Sequence, residues 1–405
     1  MMIKELYRFE TTETSLNVTQ SEIDSVRRKH IVKSGCRVYD GTSIGIAGTL
    51  GEATAETWRQ AEANLERKVP YPYAPEQNKT RREDRRQEIL DSGEFTARVE
   101  RLLDRLRTAF PRMIFSNKVN MSETTVSLTN DAGLDYCCRD LTYTVMLLAK
   151  DVDSAAVFDT AAEYLGRSFD VDAIFADVSQ IMEAHQTVVP LPEGNTLPLI
   201  VESGLVKDPL NQALNGQLFH RGASLLSGKQ GQKLFSEDVT LQVDRTPDSY
   251  AAAFFDAEGS VLPGDQLPLI ENGVLARPYA DKKTAAEFSC ENTAAAGANY
   301  DDLPQLAAPN TSFASSGKSL RELLQGRDAA LVVMASGGDC TPDGMLATPV
   351  QTSYLYRDGK LLGKLPEFSA RGSLFDLLGK YYLGRSDDKP FCGFQWLAVE
   401  AEITP

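Results

Sequence analysis

The side chains of this sequence that most readily hold a catalytic metal ion are those of its three histidines, His30, His185 and His220. A catalytic zinc site normally uses three protein ligands, and zinc hydrolases often place two histidines and a basic glutamate on one helix. Here no histidine is followed by glutamate, and the three lie far apart in sequence. The chain therefore contains neither HExxH nor HExxxH, and we predict that the histidines are structural.

The six cysteines form no metal or redox motif either. They are Cys36, Cys137, Cys138, Cys290, Cys340 and Cys392. No two have CxxC spacing, and the adjacent pair would point to opposite faces of a strand, so it cannot chelate one ion. We expect reduced, mostly buried thiols in a cytoplasmic protein.

Two serines, Ser224 and Ser227, lie in a glycine-rich turn that could expose a nucleophile. Neither serine lies in the G-x-S-x-G sequence of a nucleophile elbow. The stretch Ser336-Gly337-Gly338 likewise lacks the lysine and the spacing of a phosphate-binding loop. These residues therefore indicate no nucleophilic or nucleotide-dependent chemistry.

The charge balance argues against direct binding to nucleic acid. Acidic residues outnumber basic ones by 57 to 42, which gives a net charge of −15, whereas nucleic-acid binders concentrate Lys and Arg on one face. The one dense basic segment, residues 81–86, is interrupted by acids, and we interpret it as a solvated helix face with intrahelical ion pairs. No apolar run is long enough for a transmembrane helix, and the first residues lack a secretory signal.

The elements expected in the first half are strands with a few helices. Residues 15–50 alternate like a strand meander with a hairpin turn at Asp40-Gly41. Helices are predicted at 54–65 with Thr54 as N-cap, from about 81 to 110, at 154–165 and at 171–185. Strands are predicted at 112–120, 121–129, 134–139 and 141–149, with a turn at 130–133.

The segment 190–195 is the expected domain boundary. Residues 1–190 are predicted to form an α+β domain with two submodules of about 1–78 and 79–190. Residues 191–405 are predicted to form a mainly β domain, barrel- or sandwich-like, with helices only near 208–218, 319–325 and 373–382. Asn272-Gly273 and Asp358-Gly359 read as hairpin turns.

Several stretches, taken in order, resemble one protein family. They are Ser25 to Tyr39 with Ser43-Ile44-Gly45-Ile46-Ala47, Arg221 to Gly231, Phe255-Asp256-Ala257-Glu258-Gly259, Leu269 to Leu275, Ala308 to Phe313 with Gly317-Lys318-Ser319, Gly337-Gly338-Asp339, Asp358-Gly359-Lys360 and Cys392-Gly393. Together they are similar to the TldD/PmbA family of bacterial metallopeptidases, also called peptidase U62 and modulators of DNA gyrase. The charge balance implies that any effect of this chain on gyrase is indirect.

The resemblance also implies where the catalytic site of the family has been lost. Active members look like zinc peptidases with HExxxH on a helix and a later cysteine. At the matching positions Asn211 and Gly216 replace the histidines and Gln212 replaces the glutamate, whereas Cys392 matches the cysteine. No metal is expected in this chain. Arg221 and Ser224, just after that helix, are predicted to contact peptide.

The resemblance is closest to the metal-free PmbA/TldE type of subunit. It implies a partner that carries HExxxH and zinc, with which this chain would form a chamber that binds unfolded peptide. A homodimer that binds peptide or another ligand without proteolysis is an alternative. A metallopeptidase with an unrecognised site is a second alternative, so whether the chain is itself an enzyme stays open.

Overall fold

One eight-stranded sheet with three helices makes up the first part of the molecule. The computed structural model describes residues 2–250, 252–336, 338–391 and 394–405, with only the backbone at residue 339. The first elements are β1 (Ile3–Thr19), β2 (Glu22–Tyr39), β3 (Ser43–Leu50), α1 (Ala55–Leu65), β4 (Val69–Pro70), β5 (Lys79–Asp84), α2 (Ser92–Ala109), β6 (Met113–Asn130), β7 (Leu134–Asp151), β8 (Thr160–Gly166) and α3 (Val171–His185). The strand order is β4-β3-β2-β1-β6-β7-β5, and β8 also pairs with β7.

The strand meander predicted at the N-terminus is confirmed. β1, β2 and β3 are consecutive antiparallel neighbours, and Gly41 takes a positive φ of 97° in the turn before β3. The helix at 54–65 is confirmed as α1, with Thr54 accepting a hydrogen bond from the Thr57 amide as N-cap. β6 and β7 are each one long strand where two short ones were expected, and the turn between them lies at 131–133.

The helix predicted from about residue 81 is wrong in its first part. Residues 79–84 form β5, which runs parallel to β7. The charges that suggested intrahelical pairs instead reach across the structure, since Arg82 pairs with Asp135 at 2.7 Å and Arg81 pairs with Asp265 at 2.5 Å. The helix itself begins only at Ser92, because the Asp91 carboxylate accepts from two amides of its first turn and caps it there.

The helix predicted at 154–165 is also wrong. Thr160–Gly166 is the strand β8, antiparallel to β7. Before it, the Asp159 carboxylate accepts hydrogen bonds from the Asp151 amide at 2.8 Å and the Ser154 hydroxyl at 2.7 Å. Such local side-chain bonds stabilise a loop at the expense of a helix.

A closed five-stranded barrel is the centre of the second part. Its elements are β9 (Thr196–Val201), α4 (Gly204–Ala213), α5 (Gly216–His220), β10 (Leu241–Asp244), β11 (Gln266–Glu271), β12 (Val274–Leu275), α6 (Lys282–Phe288), β13 (Ala296–Gly297), β14 (Gln305–Leu306), β15 (Thr311–Phe313), α7 (Leu320–Leu324), β16 (Ala329–Ala335), β17 (Asp339–Cys340), β18 (Met345–Arg357), β19 (Lys360–Lys364), β20 (Phe368–Ser373), α8 (Leu374–Leu377), β21 (Tyr382–Arg385) and β22 (Leu397–Thr404). The order β16-β9-β22-β20-β18 closes because β18 pairs back onto β16.

Side chains of the barrel strands alternate between two cores, as the two-residue period of a strand requires. On β9, Leu199 and Val201 pack with residues of α4, β10 and β20. Ile200, between them, packs on the other side with side chains of α2 and α3. Consecutive side chains of β9 thus belong to different cores, one shared with the helices of the first part and one shared with α4.

The helices predicted in the second part lie where they were expected, but their bounds differ. The helix at 208–218 is two helices, α4 and α5, which break at Leu214 and Asn215. The helix predicted near 319–325 is α7, which Ser319 caps, whereas α8 ends at Leu377 and α6 was not predicted. The turns at Asn272-Gly273 and Asp358-Gly359 are confirmed, with positive φ at all four residues.

The α+β fold class, with a strand meander followed by a mainly β part, is confirmed. The domain boundary near 190 stays a prediction, because one hydrophobic core contains residues from both sides of it. Among the residues that the structure describes, no helix is both long and apolar enough to cross a membrane.

Candidate functional site

A cleft of about 490 Å³ lies beside α4. One wall is β15, the edge strand of the four-stranded sheet β12-β11-β10-β15. Another part of the lining is the end of β21 and the segment after it, with Arg385, Lys389 and Phe394, and Tyr250 also lines the space. The cleft therefore joins a helix, a strand edge and a loop that are distant in sequence.

Two residues one helical turn apart attach α4 to β15. The Lys207 Nζ donates to the Thr311 carbonyl at 3.2 Å, and the Thr311 hydroxyl donates to the Asn211 Oδ1 at 3.0 Å. Residues four apart share a helix face, so both contacts come from one side of α4. Asn211 is only 7% exposed, and its carbonyl oxygen serves to dock the helix.

The free edge of β15 is occupied by cations. The amides of Ala314 and Asp244 bond across the β10–β15 ladder, and bonding alternates along an antiparallel pair. Thr311 and Phe313 therefore turn their carbonyls away from β10. The first accepts from Lys207, and the second accepts from the Arg385 Nη1 at 2.6 Å. Neither outward carbonyl is free to bond to an added strand.

The residues predicted to replace a metal motif do not gather around one point. Gln212 is exposed. Gly216 is buried in α5, beyond the helix break, and its amide donates to the Tyr279 carbonyl at 3.0 Å. A Cβ on Gly216 would lie 2.4 Å from that carbonyl oxygen, so no side chain fits there. The assignment of these positions to lost ligands stays a prediction, and Cys392 lies outside the described residues.

The residues predicted to contact peptide have structural partners. Arg221 is exposed, pairs with Glu287 at 3.0 Å and lies 5.9 Å from the ring of Phe288. The Ser224 hydroxyl donates to the Ala213 carbonyl at the end of α4 and accepts from the Leu226 amide at 3.1 Å. Neither residue lines the cleft beside α4. Their role in peptide binding stays a prediction.

The three histidines lie on different elements. The Nε2 of His30 is 2.8 Å from Glu10, and the Nδ1 of His185 is 3.0 Å from the Tyr354 hydroxyl. Burial lowers the pKa of His185, with a smaller effect from Lys364. His220 stacks on Phe288, with ring centroids 4.8 Å apart. In the part of the chain that the structure describes, no three His, Cys, Asp or Glu side chains could together hold a metal ion.

A buried polar network fixes the loop 255–259 against the first sheet. Arg37, fully buried, donates to the Ala257 carbonyl at 2.6 Å and lies 4.5 Å from the ring of Tyr7. The Tyr71 hydroxyl donates to the Glu258 Oε1 at 2.5 Å. This loop was singled out from the sequence as a motif, but the contacts of Arg37 and Tyr71 with it were not predicted. Nothing in the sequence around these two residues shows that a distant loop covers them.

Two acidic residues of this loop, Asp256 and Glu258, are buried and have raised pKa values. The Asp256 carboxylate accepts from the amides of Glu258, Ser260 and Ala296 at 2.8 to 3.0 Å. Burial, together with the negative charge of Asp256, raises the pKa of Glu258 to about 7. Burial also raises the pKa of Asp256, against the attraction of Arg245. Glu258 can therefore gain or lose its proton near neutral pH.

Comparison with known proteins agrees with this architecture. Residues 198–391 match the family described as "PmbA/TldA metallopeptidase C-terminal domain". The chain is 28% identical over 175 residues to a "Metalloprotease" of Methanothermobacter thermautotrophicus, and 27% identical over 203 residues to a "Metalloprotease TldD homolog" of Buchnera aphidicola. These matches cover 43% and 48% of this chain but only 38% and 41% of the relatives.

A solved structure matches over the whole length. The crystal structure of TldE from Thermococcus kodakarensis superposes with a TM-score of 0.80 at 20% identity, over 100% of this chain and 97% of that chain. The chain thus shares the TldE fold, with an α+β first part and a closed β second part. Its residues 198–391 match a domain of the TldD/PmbA family.

Proposed function

We propose that this chain is a non-catalytic subunit of the PmbA/TldE type. It pairs with a TldD-like subunit that carries HExxxH and zinc, and it contributes one wall of a chamber that binds unfolded peptide. The observation that carries the proposal is the state of α4 and α5, the helices at the place of the metal motif. There Asn211 docks a helix, Gln212 is exposed, and Gly216 has no room for a side chain.

Two further observations support this assignment. The superposition on TldE extends over the whole chain, so the first part and the barrel both follow that fold. Glutamine cannot act as a general base, and a glycine provides no metal ligand, so the residues at these positions cannot replace a zinc site. The proposal includes no nucleic-acid partner, since the net charge is −15.

We further propose a cytoplasmic location. The cysteines that the structure describes, five in all, are free thiols. Free thiols fit a reducing compartment, although they do not require one. The partner would then have to be sought among cytoplasmic proteins of the same genome.

The test is a proteolysis assay with an unfolded peptide. The chain alone, an HExxxH-bearing paralogue of the same genome alone, and the two together are each incubated with the peptide, with and without a zinc chelator. Light scattering after size-exclusion chromatography gives the stoichiometry of the mixture. A matched control uses the paralogue with the glutamate of its HExxxH changed to glutamine, which removes the general base but keeps the zinc ligands.

The expected result is a mixed complex whose chelator-sensitive cleavage is lost with the glutamine variant of the paralogue. A self-associated chain that binds peptide but enters no mixed complex would instead support a homodimeric binding protein. Chelator-sensitive cleavage by the chain alone would support a metallopeptidase with an unrecognised site. Either outcome would refute the subunit proposal.

A further inference from the structure

Three cations line the cleft beside α4 without an acidic partner. Lys207, Arg385 and Lys389 all face this space. Among the described side chains, no carboxylate oxygen lies within 4.0 Å of their charged nitrogens. Some buried arginines elsewhere in the fold have such partners, as Arg167 has in Asp140 at 2.7 Å. The cleft therefore concentrates positive groups that the chain itself does not neutralise.

Among the described contacts, Arg385 leaves more hydrogen-bond donors unused than either lysine. A guanidinium has five N–H donors, and within the described residues the side chain of Arg385 makes one hydrogen bond, to the Phe313 carbonyl. Arg385 is partly buried, and burial lowers the pKa of its guanidinium, although the charge of nearby Asp244 acts in the opposite direction. A half-buried cation with unused donors is costly unless an anion joins it.

The acids of the cleft do not take that place. The Asp244 carboxylate accepts from the amide and hydroxyl of Thr246 and from the Ser312 hydroxyl, at 2.7 to 3.1 Å. Glu202 and Asp248 are exposed, so solvent screens their charges from the interior of the cleft. A small anion that reaches Lys207 and Arg385 would thus accept hydrogen bonds from both side chains. It would not be repelled by a buried carboxylate that lacks a partner.

The geometry selects the kind of anion. Lys207 and Arg385 are bound to carbonyls two residues apart on β15, which places them roughly 7 Å from each other along the strand. One carboxylate can bridge such a gap by accepting on each oxygen. The same contacts occupy the strand edge, so a peptide cannot add there as a further strand. The end of a chain fits this arrangement better than its middle.

We propose that the cleft binds the C-terminal carboxylate of a peptide, with Lys207 and Arg385 as the two donors. Lys389 adds positive charge, and its ammonium lies 5.9 Å from the ring of Tyr250. The assignment rests on the proposed function, because it takes peptide to be the ligand of this subunit. It adds which part of the peptide is recognised and by which residues.

The test compares peptides that differ only at the C-terminus. The full chain is titrated by calorimetry with one unstructured peptide as its free acid, as its C-terminal amide, and as an amide that carries an internal aspartate. The variants are Lys207→Met and Arg385→Met, with Lys360→Met as the matched control, an exposed lysine on the hairpin of β18 and β19. Circular dichroism confirms that each variant is folded.

The free acid is expected to bind about 10- to 100-fold more tightly than the amide, the range for one charge-assisted contact. Either cleft substitution should remove most of that difference, and Lys360→Met should leave it intact. Equal binding of acid and amide would overturn the carboxylate site but leave the peptide-binding subunit standing. Tight binding of the aspartate amide would overturn the terminal specificity. Binding of no peptide would also overturn the carboxylate site of this chain, whereas the proposed function would still be decided by the proteolysis assay on the mixed complex.

Discussion

The buried acid pair of loop 255–259 makes the stability of this protein depend on pH in a definite direction. Glu258 is 4% exposed and has a pKa raised to about 7 from the ordinary 4.5. A carboxyl with a raised pKa destabilises the fold when it ionises, so its contribution is most favourable at low pH and is lost as pH rises from 4.5 to 7. Glu258→Gln removes this ionisation while keeping the shape of the side chain.

The size of the effect follows from the two pKa values. At 1.36 kcal/mol for each pH unit between 4.5 and 7, full ionisation of Glu258 costs about 3 kcal/mol. Between pH 5 and pH 8 the part that a measurement would see is about 2 to 3 kcal/mol, because the unfolded carboxyl is already partly ionised at pH 5. The Gln variant should therefore gain stability relative to the parent protein across this interval.

Urea unfolding followed by circular dichroism at pH 5, 6, 7 and 8 measures the difference between the two proteins. Glu193→Gln, an exposed carboxyl on the loop before β9, serves as the control and should show no such trend. A difference between Glu258→Gln and the parent that stays constant from pH 5 to pH 8 would refute the reasoning. It would mean that the loop carries a permanently neutral or permanently solvated Glu258.

Two substitutions at the predicted site residues should act on stability. Gly216→Ala brings a Cβ to 2.4 Å from the Tyr279 carbonyl, and should cost about 1–3 kcal/mol; an unchanged melting temperature would show that α5 can move aside. Ser224→Ala removes the bond to the Ala213 carbonyl at the end of α4, and should cost about 1–3 kcal/mol, measured by urea unfolding, while calorimetry measures the affinity for peptide. A loss of affinity without a loss of stability would instead place Ser224 in the peptide site.

The elements that the sequence predicted well are those with local signals. α3 was expected at 171–185 and lies there, because its apolar period is regular and the Asp170 side chain caps its first turn. The Asn-Gly and Asp-Gly turns were found because both residues of each adopt positive φ. In these cases the interactions that determine the conformation are made between residues that are close together in sequence.

The elements predicted wrongly depend on distant partners. Residues 79–84 have the charge pattern of a solvated helix, but they form a strand whose arginines pair with Asp135 and Asp265. Arg85, the residue directly after this strand, is buried and donates to the carbonyls of Ala252 and Arg245. A charge run does not by itself say whether its partners are four residues away or on another part of the chain, so tertiary pairing overrode propensity here.

The candidate site was predictable in its position but not in its chemistry. The resemblance led to α4 and its neighbours, and Asn211 does face the cleft strand β15. Lys207 and Arg385 gave no signal, because they become neighbours only when α4 and the end of β21 meet at the outward edge of β15. Spacing along the sequence cannot reveal cations whose common partner is the main chain of a third segment.

Under the proposed function, the arrangement of α4 would let a subunit keep the place of a catalytic site while changing what it does. Zinc ligands on a helix must point into an open space, where water can occupy the remaining coordination position. Asn211 instead uses its oxygen to hold the helix on β15, and Lys207, one turn earlier, makes the neighbouring contact with the same residue. A helix docked in this way has less freedom to present a ligand, but it keeps a fixed ammonium at the cleft wall. We infer that the substitutions on this helix exchange a metal for fixed positive charge, so that the cleft is suited to hold a peptide end rather than to cut a peptide bond.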